Sequence, residues 1–256
     1  MTPRRIARTA LRLFALGSEL AWAALGMAAG RGDGALGVHR LSRRLLRVFG
    51  MEVRVRGPVP RYGLITCNHL GYIDVVVLAA TAPTVFVAKS DVESWPVFGW
   101  FARRSGTIFV ERGRAGGSAE SARRIAAALA SGRRVVVFPE GTSSGGESVL
   151  PFKSSLLEPG RGGSIWAAAL DYSLDEGEGD PAEDVCYWRD MTLVPHLMKI
   201  LGKRRIRATL SFSPIADTHL DRKTLARFLR TRVIELRGQV SDIAAAGVPA
   251  TAISET

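Results

Sequence analysis

Cysteine is scarce in this chain: Cys67 and Cys186 are the two thiols in 256 residues. Two cysteines cannot staple a chain of this size, and they form no C-x-x-C metal spacing. Histidine is scarce as well, with four residues, which leaves little room for a His-rich metal site. Long uncharged runs are missing from the apolar N-terminal region. Arg12 and Glu19 interrupt it, and its longest run, residues 20–30, is about half of the ~20 residues a spanning helix needs. Glu19 inside the apolar part and the lack of a clear A-x-A cut site also argue against a cleaved secretory signal. No internal repeat and no long linker is present. What is abundant is ordinary: 46% hydrophobic and 23% charged residues exclude wholesale disorder.

The charge is one-sided. The net charge is +11, carried by 30 arginines and only 5 lysines, and it predicts an anionic partner. Residues 1–61 hold twelve arginines against Glu19, Asp33 and Glu52, so nine of the eleven excess charges lie in the first quarter. A nucleic-acid enzyme would more often place such charge beside its chemistry. Residues 36–49 form a basic amphipathic helix, with Arg40, Arg43, Arg44 and Arg47 on one arc. Val38, Leu41, Leu45, Val48 and Phe49 lie on the other. The same pattern suits a helix packed on its own domain with a solvated arginine face. With the apolar segment before it, the favoured reading is a two-helix anchor on an anionic lipid surface, residues 1–50.

After Gly50 the period changes. Residues 51–57 alternate as a half-buried strand. Apolar strands are expected at 62–68, 84–88, 107–110 and 133–138, with helices at 74–80, 95–104 and 118–130 between them. Further strands are expected at 163–172 and 205–213, helices at 193–201 and 221–239, and an acidic surface loop at 171–184. This alternation predicts one α/β domain, residues 51–243, with a mixed, mostly parallel sheet flanked by helices. A flexible tail is expected at 244–256.

Four strand ends carry chemistry. The first is followed by His69 and, five residues on, Asp74. His is the side chain best suited to move a proton near neutral pH, and a carboxylate can fix its tautomer. On a continuous helix the two would be 140° apart, but Gly71 lies between them, in a turn that can fold Asp74 back. The second expected strand ends at Lys89 and the third leads into Arg112, either of which could hold a phosphate. The fourth runs into Pro139-Glu140-Gly141-Thr142. Glu140 would be an acceptor for substrate hydroxyls or a positioning charge, and Gly141 would allow close backbone approach. If the strands are parallel, His69, Lys89, Arg112 and Glu140 converge on one sheet edge, where open α/β sheets place ligands.

NHLGYID, GTIFVER and FPEGT, in this order and spacing, resemble blocks I, II and III of the glycerolipid acyltransferases. They are most similar to those of the bacterial 1-acylglycerol-3-phosphate (lysophosphatidic acid) acyltransferases, over about residues 64–158. The resemblance implies acyl transfer from a thioester, acyl-CoA or acyl carrier protein, to a lipid hydroxyl. The first acceptor it suggests is the lysophospholipid 1-acylglycerol-3-phosphate. His69 and Asp74 would be catalytic. Asn68, Lys89, Arg112, Glu140, Gly141 and Thr142 would bind or position the acceptor. No metal, cofactor or covalent acyl-enzyme is implied, and the expected place is the cytoplasmic face of the inner membrane, held peripherally. Oxyanion donors are looked for in the backbone near Gly141 or Gly71. Two departures stand out. Ser143 occupies a position where the family usually has Arg, and residues 163–172 lack the prolines of the fourth block. The stretch GTSSGGESVLPFKSSL resembles a subset that includes lyso-ornithine lipid acyltransferases, an alternative acceptor without phosphate.

Two other classes fit parts of the sequence. Residues 141–145 match G-x-S-x-G, so a hydrolase would use Ser143 with His196 or His219. That motif needs a strand–turn–helix context, and PEG intervenes. A non-enzymatic basic module would use the arginine strips and a second cluster of Lys199, Lys203, Arg204, Arg205 and Arg207. The aromatic platforms of single-strand nucleic-acid binders are not evident, and no nucleic-acid partner is expected.

Overall fold

The computed structural model describes residues 2–30, 32–110 and 117–246, the side chains to residue 239 with those of 117 and 118 excepted. Two helices come first, α1 (Pro3–Ala29) and α2 (Gly34–Phe49). Asp33 caps α2 by accepting from Ala35 N–H (2.9 Å), and Gly50 ends it in the left-handed region (φ 62°). A Cβ there would lie 2.2 Å from the Arg12 guanidinium, so Gly suits both the turn and the packing.

Seven strands follow: β1 (Met51–Arg56), β2 (Gly63–Cys67), β3 (Val85–Lys89), β4 (Ile108–Val110), β5 (Arg134–Val137), β6 (Ile165–Leu174) and β7 (Ile206–Pro214). They form one sheet in the order β1-β7-β6-β2-β5-β3-β4. β6, β2, β5, β3 and β4 are mutually parallel. β7 runs antiparallel to β6, and β1 is parallel to β7. The expected mixed, mostly parallel sheet is therefore found, and the carboxyl ends of β2, β3, β4 and β5 share one edge.

Alternate strand residues feed two cores. Ile65, Val136, Ala168 and Leu170 face α1, α2, α3 (Ile73–Thr81) and α7 (Leu193–Gly202). Leu64, Val135, Val137 and Ala167 face the other way, against Ile125 of α5 (Gly117–Ala130) and Leu225, Leu229 and Val233 of α8 (Arg222–Ala246). Short α4 (Phe98–Arg104) and α6 (Pro181–Asp184) complete the element order.

Three expectations change. The acidic stretch 171–184 is not all loop: β6 continues to Leu174, where Asp171 pairs with Arg237 at 3.0 Å, and α6 closes the segment. The second basic cluster is not a free patch, because acids of that stretch and of β1 neutralise it. Lys203 pairs with Asp184 at 2.7 Å, Arg207 with Asp175 at 2.5 Å and Arg205 with Glu52 at 3.2 Å. The proposed tail at 244–256 begins inside α8, which runs to Ala246, and its remainder lies outside the described residues.

α1 is longer than its apolar segment and, by length and composition alone, could cross a membrane. Both charges that interrupt it turn inward. Arg12 donates to the carbonyls of Leu201 and Lys203, and Glu19 pairs with Arg44 at 2.7 Å. At 100° per residue, Leu11, Phe14, Trp22 and Leu25 share an arc opposite the buried Thr9, Leu16 and Ala23. All four are exposed.

Candidate active site

The site is built on the turn after β2. Asn68 anchors that strand end: its side-chain amide donates to the Leu170 carbonyl (2.9 Å) and its side-chain oxygen accepts from Leu170 N–H (2.8 Å). It is buried behind the site, so it ties β2 to β6 and does not present itself to an acceptor, contrary to expectation.

His69 follows, and the chain reverses before α3. Asp74, in the first turn of α3, accepts at Oδ2 from His69 Nδ1–H (2.8 Å), Leu70 N–H (2.6 Å) and Gly71 N–H (3.0 Å). Its Oδ1 accepts from the Tyr172 hydroxyl (2.8 Å). The carboxylate is fully buried, while the His69 ring keeps 23% exposure. The five-residue spacing closes because the turn, unlike a helix, brings the two together. Nδ1 is engaged by Asp74, which leaves Nε2 as the ring nitrogen with no partner among the described residues. Phe138 stacks on the ring at 4.2 Å between centroids and 20° between planes. Gly71 is needed here because a Cβ would fall 2.8 Å from Tyr187 N, whose N–H donates to the Leu70 carbonyl.

Glu140 is also buried. Its two oxygens accept from His69 N–H and Leu150 N–H, each at 2.8 Å. Burial pushes its carboxyl above the ordinary value, and the two backbone hydrogen bonds pull against that. Of the two roles expected for it, the structure supports the positioning charge: both oxygens are engaged by backbone N–H groups, and Glu140 is not among the residues that line the cavity at this edge. Gly141 adopts φ 71°, a turn conformation that favours glycine.

A cavity of ≈ 700 Å³ opens at this edge, with His69, Lys89, Gly141, Thr142 and Ser143 among its lining residues. Its walls are mostly apolar: Val38, Leu41 and Leu45 from α2, Val76 from α3, Phe86 from β3, and Phe98 and Phe101 from α4. Lys89 is exposed at its rim. β4 delivers Val110 to the same wall, while Arg112 lies outside the described residues. His69, Lys89, Gly141 and Thr142 are thus brought together around one space, and Asp74 stands behind His69. Of the backbone near Gly141 and Gly71 where oxyanion donors are expected, the two glycine N–H groups are otherwise engaged: Gly71 N–H by Asp74 and Gly141 N–H by the Phe138 carbonyl (3.0 Å).

The hydrolase arrangement does not form. No helix follows residues 141–145. His196 donates Nε2–H to the Cys186 carbonyl (2.9 Å) and accepts at Nδ1 from the Tyr72 hydroxyl (3.1 Å). Burial holds its imidazole below the ordinary value. Neither His196 nor His219 lines the cavity. No cluster of metal-ligating side chains occurs among the described residues.

Sequence reasoning missed Tyr172 and the wall contributed by α2. Tyr172 ends the run ALDY on a buried strand, a faint signal. Burial, and next the adjacent Asp74 carboxylate, push its phenol well above the ordinary value, so it serves as a donor.

A family model described as Acyltransferase matches residues 51–159. The chain is 35% identical to a lyso-ornithine lipid O-acyltransferase of Rhizobium meliloti, over 84% of this chain and 80% of that one. It is 28% identical to a 1-acyl-sn-glycerol-3-phosphate acyltransferase of Neisseria meningitidis, over 84% of each. In fold it is similar to the crystal structure of the acyltransferase PlsC from Thermotoga maritima. The TM-score is 0.63 at 17% identity, covering 91% of this chain and 96% of that one. With a histidine–aspartate pair at the mouth of an apolar cavity and relatives matched over most of their length, the chain belongs to the glycerolipid acyltransferase family of O-acyltransferases.

Proposed function

We propose that this enzyme moves a fatty acyl group from a thioester to the free hydroxyl of a lyso-lipid, with lyso-ornithine lipid as the acceptor. The carrying observation is the 2.8 Å contact of His69 Nδ1 with buried Asp74, which leaves Nε2 for the cavity. Nε2 takes the acceptor's hydroxyl proton as its oxygen attacks the thioester carbonyl. The C–S bond then breaks, and the thiolate leaves with the proton that His69 returns. Asp74 holds the tautomer and stabilises the imidazolium. No cofactor enters this sequence; acyl-CoA or acyl carrier protein is the co-substrate.

The oxyanion needs N–H donors. The backbone N–H groups of Thr142 and Ser143 make no hydrogen bond among the described residues, and both residues line the cavity. They are the donors we assign. Relatives 34–36% identical named as lyso-ornithine lipid O-acyltransferases, together with Ser143 in place of an arginine, support the acceptor. Lysophosphatidate is the second reading, supported by Lys89 at the rim, by Arg112 nearby in sequence and by the relatives named for it. The exposed apolar face of α1 and the arginines of α2 would seat the enzyme on an anionic membrane, at the cytoplasmic face of the inner membrane.

The test is thiol release from acyl-CoA with lyso-ornithine lipid and lysophosphatidate offered side by side. His69→Ala should abolish release, and Ser143→Ala should keep most of it, since only the backbone of Ser143 is used. The reverse pattern would discard the assignment.

A further inference from the structure

Two opposite charges stand at the rim of the catalytic cavity, and among the described residues neither is neutralised. Lys89 ends β3, and Asp91 follows in the 3-10 turn Ser90–Ser94. Both are exposed, and both line the cavity that His69 lines. Neither forms an ion pair among the described residues, and the two do not pair with each other. Asp91 is the one carboxylate among the described lining residues; the lining cations are Lys89 and Lys153.

A phosphate monoester would use the cations and be repelled by Asp91. An N-acylated diamino acid fits better. With the acyl chain on its α-amine, its headgroup keeps one carboxylate and one terminal ammonium, several bonds apart. That matches two opposite charges held in one rim but out of contact. Ser143 removes a further cation from the position where a phosphate-reading arginine usually stands. We propose that Lys89 and Asp91 read a zwitterionic amino-acid headgroup, Lys89 taking its carboxylate and Asp91 its ammonium, and that Asp91 thereby selects against phosphate monoesters. This rests on the lyso-aminolipid reading of the acceptor.

The experiment uses the full chain and three acceptors: lyso-ornithine lipid, the same lipid with its free amine acetylated, and lysophosphatidate. The wild type should prefer the free amine over the acetylated lipid in kcat/KM. Asp91→Asn should shrink that preference about tenfold, the scale of one charge-assisted hydrogen bond. It should also raise relative use of lysophosphatidate. Lys89→Gln should lower both ornithine lipids by about the same factor and keep their ratio, because both retain the carboxylate. Both side chains are exposed, so both variants should fold. An Asp91→Asn enzyme with the wild-type ratio overturns the pairing while leaving the acceptor reading intact. A wild type that acylates lysophosphatidate alone, or neither lipid, overturns the acceptor reading and the pairing together.

Discussion

Four donors converge on Asp74, three at Oδ2 and one at Oδ1, and only one of them belongs to the catalytic histidine. The carboxylate is therefore fixed before substrate arrives, and so is the His69 tautomer. Asp74→Asn would offer an N–H or a weaker acceptor to Nδ1. It should lower kcat by on the order of 10³-fold with the fold retained, since a mis-set tautomer idles the base. Tyr172→Phe should act through Asp74 alone, lowering kcat about tenfold with KM little changed and costing ~1 kcal/mol of stability. A change confined to KM would place Tyr172 on the substrate instead. Glu140 gives a pH signature. Burial raises its carboxyl, so the folded chain holds that proton more tightly than the unfolded chain. Its stabilising contribution is fully present below the unfolded value near 4.5 and fades as pH rises through the raised folded value. Glu140→Gln lacks that titration, so wild-type stability relative to the variant should fall from acid towards neutral pH in urea midpoints. The opposite slope would mean the His69 and Leu150 N–H bonds outweigh burial. At this scale the sequence disclosed His69 and Asp74 because their spacing carries meaning across a glycine turn. It could not disclose that Asn68 and Glu140 are consumed by backbone, because partners 102 residues from Asn68 and 71 residues from Glu140 leave no local pattern.

α2 shows how an element can be read correctly and still be half understood. Its apolar arc was legible from periodicity, but periodicity names a face and not what the face meets. Leu41, Leu45, Val48 and Phe49 all enter the core, and Leu41 and Leu45, with Val38, also wall the cavity that holds His69. The helix is thus a piece of the substrate site as well as a basic surface. Leu41→Ala should cost about 2–4 kcal/mol and leave space in the cavity. It should shift donor preference towards longer or bulkier acyl chains in competition assays; an unshifted chain profile would mean the acyl chain lies elsewhere. The strands were legible for the same reason that α2 was: short apolar runs between glycine and charge. β6 runs two residues past its expected end at 172, into a stretch whose acids suggest a loop from Asp171 on. Arg237 of α8 pairs with Asp171 and makes that acid compatible with a strand.

At the scale of the molecule, the nine excess charges of the first quarter and the apolar face of α1 form a single device. Arg12 and Glu19, which looked like interruptions, are drawn into the protein, so between residues 11 and 25 the outward arc of Leu11, Phe14, Trp22 and Leu25 carries no charge. Arg40 and Arg47 remain exposed on α2 beside it. Deleting residues 1–50 would be an ambiguous test, because it removes the cavity wall along with the anchor and should silence the enzyme even in detergent. Replacing Leu11, Phe14, Trp22 and Leu25 together by serine separates the two. These side chains are exposed, so the melting temperature should move little. Turnover of detergent-dispersed acceptor should persist, while co-sedimentation with anionic vesicles and turnover on them should be lost. Arg40→Gln with Arg47→Gln should instead weaken vesicle binding by about 1 kcal/mol per charge and flatten its salt dependence. If the serine variant binds vesicles as the wild type does, α1 is not the docking surface, and the membrane must meet the apolar cavity mouth directly.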